Sequence, residues 1–364
     1  MFQERRKQLQ YHIEKAGMQA VIIDSPSNLY YYTGFTGGEG MFFLPIEKSV
    51  GYLITDSRYY EQVEKECPEI TLIRMENRGF SELVKELVND CFSDITESML
   101  SIAVESTMNL QQYLKLCEVC KECSFLLSQD SIMESRMIKD EVELSKIAKA
   151  EAIGDAAFTH ILPFIKPGVS EQDISLELEF YMKRQGASKL SFDTIVASGP
   201  NSSMPHAQVT NRKLQLGDFI TMDFGCVYEG YCSDMTRTVA LGEPTEEMRK
   251  VYQIVLDANL RAMDGIREGV HCNQVDALAR DYIADKGYGD YFGHGLGHGV
   301  GLDIHEEPRF SKKCEVIAKE NMVITNEPGI YLPGRFGVRI EDLVVVKKNG
   351  CEILSRSDKS LMIL

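Results

Sequence analysis

The sequence predicts an α/β (α+β) protein built as two domains, residues 1–133 and 134–364. Three observations carry this expectation. The chain has 364 residues, and at roughly 100–200 residues per domain that length suits two domains. The first part alternates short helix-like and strand-like segments, whereas beyond Glu134 to Lys139 long helices precede strand-rich text. That second pattern, helices and then strands, occurs twice.

Taken in order, Glu4 to Lys15 has helical character, Ala20-Val-Ile-Ile is a short buried strand, and Val50-Gly-Tyr-Leu-Ile-Thr is another. Between them, Tyr30-Tyr-Tyr-Thr-Gly-Phe-Thr-Gly-Gly-Glu-Gly reads as an aromatic strand followed by a glycine-rich turn. The segment from Leu110 to Cys123 reads as helix, with Leu110, Leu114, Cys117 and Cys120 on one face. In the second domain Asp140 and Glu143 form a variant capping box that opens a long helix, along which Leu144, Ile147, Ala148 and Ala152 keep helical spacing. Another helix follows Pro167-Gly168, from Glu171 to Arg184. Strands and turns begin at Ser191, helices return between Glu246 and Lys286, and strand-like text runs to the end.

Composition narrows the function. Apolar residues make up 44% and charged residues 26% of the chain, the balance of a soluble globular protein. No apolar run approaches the roughly 18 residues of a membrane span, and Met1-Phe-Gln-Glu-Arg-Arg-Lys-Gln lacks the apolar core of an export signal. With 39 basic against 55 acidic side chains the formal net charge is -16, which phosphate backbones repel. The expectation is a cytoplasmic protein with neither a nucleic-acid nor a membrane partner. Its ten cysteines should then be reduced thiols. Cys117, Cys120 and Cys123 have a spacing that can hold zinc or an iron–sulfur cluster. No Pro or Gly shapes a loop there and no fourth thiol lies nearby, so they read as small apolar residues.

The twofold pattern suggests an internal duplication. Leu216-Gly-Asp-Phe-Ile-Thr-Met-Asp-Phe-Gly resembles Lys319-Glu-Asn-Met-Val-Ile-Thr-Asn-Glu-Pro-Gly, which pairs Asp223 with Glu327. Asp234 and Glu341 each follow in the next strand-like segment. All four carboxylates sit in apolar, β-prone text, where an acid is costly unless paired or bound to metal. A hairpin would set Asp223 and Asp234 on neighbouring strands facing one spot. Four such groups repel one another without cations between them, and ion pairs inside the sheet would need more basic partners than Arg237 and Arg339.

Histidines gather in the same region. His294, His298 and His305 all fall in Gly293-His-Gly-Leu-Gly-His-Gly-Val-Gly-Leu-Asp-Ile-His, and His206 sits in Ser203-Met-Pro-His-Ala. Glycines permit close backbone approach, and imidazoles supply neutral ligands or carry protons. The glycines do not fit Gly-x-Gly-x-x-Gly in any register, so dinucleotide binding is not supported. His160 and His271 read as structural.

The ordered set Met-Asp-Phe-Gly, Ser-Asp-Met-Thr-Arg-Thr, Gly-His-Gly-Val-Gly, Asn-Glu-Pro-Gly and Arg-Ile-Glu-Asp resembles the Xaa-Pro aminopeptidases and Xaa-Pro dipeptidases (prolidases) of the creatinase/methionine-aminopeptidase superfamily. The resemblance covers nearly the whole chain. Asn28-Leu-Tyr-Tyr-Tyr-Thr-Gly-Phe and Thr55-Asp-Ser-Arg-Tyr-Tyr are similar to a creatinase-like N-terminal domain, and the second half to a pita-bread catalytic domain. Carried over by position, it implies that Asp223, Asp234, His298, Glu327 and Glu341 hold two divalent ions, with Asp234 and Glu341 as bridges. Asp223 would complete one ion's shell, and His298 and Glu327 the other's. Such a mostly hard donor set favours Mn²⁺, with Co²⁺ and Zn²⁺ as alternatives. Two cations lower the pKa of a shared water enough to make a nucleophile near neutral pH, with Glu327 as general base. The resemblance further implies that His206 and His305 stabilise the tetrahedral intermediate or contact the proline side of the substrate, that His294 and Arg339 line the site, and that the protein is a homodimer acting on peptides or dipeptides with proline second.

Other readings remain on the same scaffold. Methionine aminopeptidases, and broad aminopeptidases like them, share the five ligands. Methionine aminopeptidase normally lacks the N-terminal domain, and Arg339 belongs to the proline-specific branch. Creatinase lacks the ligand set, and a non-catalytic peptide-binding relative would have lost some of it. The sequence does not separate aminopeptidase from dipeptidase.

Overall fold

The computed structural model describes residues 1–93 and 99–364, in two compact units, Met1–Ser135 and Arg136–Leu364. In chain order the first unit contains α1 (Phe2–Lys15), β1 (Ala20–Ile23), α2 (Pro26–Thr33), β2 (Met41–Pro45), β3 (Tyr52–Thr55), α3 (Tyr60–Glu66), β4 (Thr71–Arg74), α4 (Phe80–Cys91), β5 (Leu100–Val104), α5 (Leu110–Val119) and β6 (Cys123–Leu127). A further helix, α6 (Gln129–Met137), follows. Its strands form one mixed sheet in the order β4-β3-β2-β1-β5-β6. Ala20, Ile22, Phe43 and Ile102 on that sheet pack against Leu83, Val84 and Leu116 of the helices.

Two expectations for this unit need correction. Tyr30-Tyr-Tyr-Thr is the end of helix α2, not a strand. Pro26 supplies a preset helical φ at the first turn, and Gly34, at φ 84°, closes the helix in the left-handed region. The expected face of α5 is also turned outward. Leu110 and Leu114 are 70% and 57% exposed and Cys117 is exposed, while Leu116 is buried. Cys120 caps the helix and Cys123 opens β6, so both are buried as small apolar residues; all ten cysteines are unpaired.

The second unit contains α7 (Glu141–Ile161), α8 (Glu171–Arg184), β7 (Lys189–Leu190), β8 (Ile195–Ser198), β9 (Asp218–Phe224), β10 (Cys226–Tyr228), β11 (Tyr231–Cys232) and β12 (Met235–Leu241). Then come α9 (Glu246–Gly265), α10 (Cys272–Asp285), β13 (Gly297–Gly299), β14 (Glu306–Phe310), β15 (Val323–Asn326), β16 (Gly329–Leu332), β17 (Phe336–Arg339), β18 (Asp342–Lys347) and β19 (Gly350–Ile353). Asp140 and Glu143 close the capping box of α7 reciprocally. The buried stripe of α7 runs through Ile147, Ala150, Glu151, Gly154 and Ala157, whereas Ala152 is exposed.

Each half of this unit repeats one plan, two helices laid on antiparallel strands. Ile153, Phe158, Ile174 and Leu178 of α7 and α8 pack on Ile220, Met222 and Val239 of β9 and β12. Val255, Ala258, Val275 and Ala279 of α9 and α10 pack on Ile324, Val344 and Val346 of β15 and β18. Since side chains alternate along a strand, Thr221 and Asp223 must point away from the face that carries Ile220 and Met222. The Glu341 N–H donates to the Thr236 carbonyl at 3.1 Å and so joins the two halves beside the carboxylates.

Candidate metal centre

Strand pairing sets the carboxylates. β9 and β12 run antiparallel with Thr236 opposite Asp223, and Asp234 immediately precedes β12. In the other half β15 pairs with β18, Asn326 opposite Asp342, so Glu327 and Glu341 lie one residue beyond the ladder. His298 lies on β13, which pairs with both β14 and β15. One ligand atom from each of Asp234, His298 and Glu341 lies within 4.8 Å of the others. His298 Nε2 is 3.5 Å from Asp234 Oδ2 and 3.6 Å from Glu327 Oε1. Its Nδ1 faces the Gly299 carbonyl at 3.1 Å, which puts the proton on Nδ1 and leaves the Nε2 lone pair toward the carboxylates. Burial, with His305 adding to it, pushes the His298 pKa down to about 3, so the ring is neutral.

Charge balance tests what belongs there. Burial first, and the neighbouring carboxylates next, raise Asp234 and Glu341 well above the ordinary carboxylate range. Burial also lifts Glu327 to about 8 against the opposing pull of Arg339. Among the described residues no Lys or Arg forms an ion pair with any of these three. Arg237 is committed to Asp342 at 2.8 Å. Arg339 donates to Asp223 Oδ2 at 2.5 Å, to the Tyr331 hydroxyl at 2.8 Å, to Thr236 Oγ1 at 3.0 Å and to the Pro205 carbonyl at 3.2 Å. The other oxygen, Asp223 Oδ1, is buried without a hydrogen bond. Four carboxylates, one imidazole, an orphaned buried oxygen and too little built-in positive charge fit divalent cations.

All nine residues singled out in the sequence, Asp223, Asp234, His298, Glu327, Glu341, His206, His294, His305 and Arg339, line one cavity of about 850 Å³. The His305 ring sits edge-on to His298, centroids 4.4 Å apart, and burial lowers its pKa. His294 is held neutral, its pKa lowered to about 4 by burial and then by Arg339. Its Nδ1 faces the Gly295 carbonyl at 2.8 Å and its Nε2 the Tyr331 hydroxyl at 3.0 Å. Away from the cavity lining, His160 stacks on Tyr181 and meets Glu177, and His271 faces the Glu315 carbonyl.

Three supporting groups were missed in the sequence. Burial pushes the Tyr331 phenol up to about 12, so it stays protonated, accepting from Arg339 and donating to His294. Its signal was adjacency to Asn-Glu-Pro-Gly. The Thr236 hydroxyl donates to Glu341 Oε2 at 2.6 Å. Glu151, raised to about 8 by burial, accepts from the Asp234 N–H at 3.2 Å and the Ser355 hydroxyl at 2.5 Å. An acid on the apolar stripe of α7 was its signal.

The chain is similar to known proteins over both of its units. Residues 145–348 match the model of metallopeptidase family M24, and residues 5–138 match the creatinase/prolidase N-terminal domain. The chain is 41% identical to the uncharacterized peptidase YqhT of Bacillus subtilis, over 96% of each protein. Among solved structures, an Xaa-Pro dipeptidase from Bacillus anthracis superposes with a TM-score of 0.95 at 39% identity, covering 100% of both chains. An X-Pro aminopeptidase from Thermotoga maritima superposes with a TM-score of 0.89 at 37% identity, covering 99% of both. With family models matched across both units, the chain belongs to metallopeptidase family M24 and is a metal-dependent hydrolase with a creatinase/prolidase N-terminal domain.

Proposed function

We propose that this hydrolase cleaves the bond between a first residue and a following proline, with residues 134–364 carrying the chemistry and residues 1–133 as the accessory domain. Asp223, Asp234, His298, Glu327 and Glu341 would hold two divalent cations, Mn²⁺ in preference to Co²⁺ or Zn²⁺, with Asp234 and Glu341 available to both. The observation that carries this reading is the enclosed carboxylate cluster, with which no Lys or Arg among the described residues forms an ion pair except Arg339 at Asp223. When bound, such cations polarise the scissile carbonyl and make water nucleophilic near neutral pH.

The protein groups do the rest. Arg339 turns Asp223 by one oxygen and leaves the other free for a ligand bond. Glu327, 17% exposed at the cavity, takes the proton from the attacking water and returns it to the prolyl nitrogen as the bond breaks. His206 and His305 donate to the carbonyl oxygen as it gains charge. The Xaa-Pro amide has no N–H to be gripped, and imidazoles can pack on the pyrrolidine ring instead. His294, fixed by Tyr331, completes that wall. The Xaa-Pro names of the solved relatives support the same substrate.

Arg309 favours dipeptides over longer peptides. It lines the cavity, and its one ion pair among the described residues is a loose 3.7 Å contact with Glu307. A free carboxylate after proline gives it a better partner. We further propose a cytoplasmic homodimer without nucleic-acid or membrane partners. The net charge of -16 supports part of this, as does the absence, among the described residues, of a helix long and apolar enough to cross a membrane. The test is kcat/KM on Xaa-Pro against Xaa-Ala with the same first residue, and on Xaa-Pro against Xaa-Pro-peptides. Selectivity for proline is expected, with the dipeptide preferred and that preference reduced in Arg309→Ala. Equal values for Xaa-Pro and Xaa-Ala would remove the proline reading, and equal values for short and long substrates the dipeptide reading.

A further inference from the structure

Glu171 is an acid with no exposed surface at the first position of α8. It is not needed to cap that helix, because Ser170 and Asp173 already close a capping box there. A buried carboxylate is costly unless its lone pairs are filled, and those of Glu171 are filled from outside the helix. Oε1 accepts from the Ser198 N–H and the Ser198 hydroxyl, each at 2.7 Å, and from Asn201 Nδ2 at 3.1 Å. Oε2 accepts from the Thr210 N–H at 3.1 Å and the Thr210 hydroxyl at 2.6 Å. Arg212, paired with Asp218, donates to the same Ser198 hydroxyl at 2.6 Å.

Ser198 and Thr210 are the two ends of the loop that carries His206. One carboxylate therefore ties both ends together. The crest of the loop is held separately, by the Gly337 N–H on Ser202 Oγ at 2.9 Å and by Arg339 on the Pro205 carbonyl at 3.2 Å. The His206 ring itself lines the cavity and has no side-chain hydrogen bond among the described residues. With no such hydrogen bond to fix the ring, its placement depends on what anchors its backbone.

We propose that Glu171 is the positioning residue for His206: by closing the 198–210 loop at its base, it sets the imidazole over the reacting carbonyl. This rests on the reading of His206 given above. Glu171 has no hydrogen bond to the carboxylate cluster and is not among the residues that line the cavity, so its effect is geometric, and misplacing a reacting group by about 1 Å can cost up to ~100-fold in rate.

The test is a double-mutant cycle with metal binding measured alongside. Glu171→Gln keeps the shape but offers one acceptor oxygen and turns an NH₂ toward existing donors. It is expected to lower kcat by roughly 10- to 100-fold while KM stays within about threefold and Mn²⁺ affinity by calorimetry is unchanged. In a His206→Ala background the same change should cost no more than about twofold, because groups that act as a unit are not additive. Thr210→Val, which removes one donor at an exposed position, gives the same cycle with a smaller loss if Glu171→Gln does not fold. Wild-type kcat in both variants, or a loss that multiplies in full with that of His206→Ala, would overturn the proposal. So would wild-type kcat in His206→Ala, but that result would locate the failure in the reading of His206 itself.

Discussion

Glu306 and the pair Asp234 and Glu341 are equally enclosed carboxylates of the same unit, and they titrate in opposite directions. Burial would raise all three. At Glu306 the effect is overcome by Arg136 and Lys139, the latter at 3.2 Å, and the pKa is held at about 2. At Asp234 and Glu341 no such partner exists among the described residues, and both are raised. The chain thus can supply cations to its buried acids, as it also does at Asp342 with Arg237 and Lys359. At the centre it withholds them. What looks like a fault in folding terms is a shortage of the protein's own positive charge, the balance that suits a site for divalent ions.

The comparison breaks most visibly at the centre. Asp234→Ala or Glu341→Ala should lower turnover by about a thousandfold or more, about 4 kcal/mol of barrier, and should reduce metal content measured by elemental analysis. Normal two-ion occupancy in Asp234→Ala would sink its assignment as a bridge. Glu306→Gln should do the reverse, keeping the metals and losing stability. Removing one partner leaves Arg136 and Lys139 undercompensated, at a cost of about 3 kcal/mol in denaturant unfolding.

Glu306 also sharpens the comparison through pH. Its folded pKa lies below the ordinary 4.5, so its stabilisation is complete above that value and disappears as pH falls toward about 2. The stability gap between wild type and Glu306→Gln should therefore close between about pH 5 and pH 2; a gap that stays constant would mean the ion pair is not its source. The smallest effect concerns Tyr331. Losing its hydroxyl in Tyr331→Phe frees His294 and one arm of Arg339 but touches no carboxylate, so kcat should fall about fivefold, roughly 1 kcal/mol, with metal content intact.

Much of this was legible from residues because the chemistry left local marks. Asp140 and Glu143 announced the start of α7, and Pro167-Gly168 that of α8. Acids in apolar, β-prone text at 223, 234, 327 and 341 marked the centre, since such text excludes an unpaired charge. Tyr30 to Thr33 misled because aromatic residues favour strands, while Pro26 and Gly34 bound a helix around them. The face of α5 misled because apolar spacing shows that residues share a side, not that the side is covered. Glu171, Glu151 and Tyr331 escaped because their roles depend on partners up to 204 positions away, as for Glu151 and Ser355.

Titrating the metal-free protein with Mn²⁺ by calorimetry, while following Xaa-Pro hydrolysis on the same samples, tests the withheld charge most directly. Two ions per chain should bind, hydrolysis should appear with them, and Asp234→Ala should bind fewer. Full hydrolysis by protein verified to carry no metal would contradict the account.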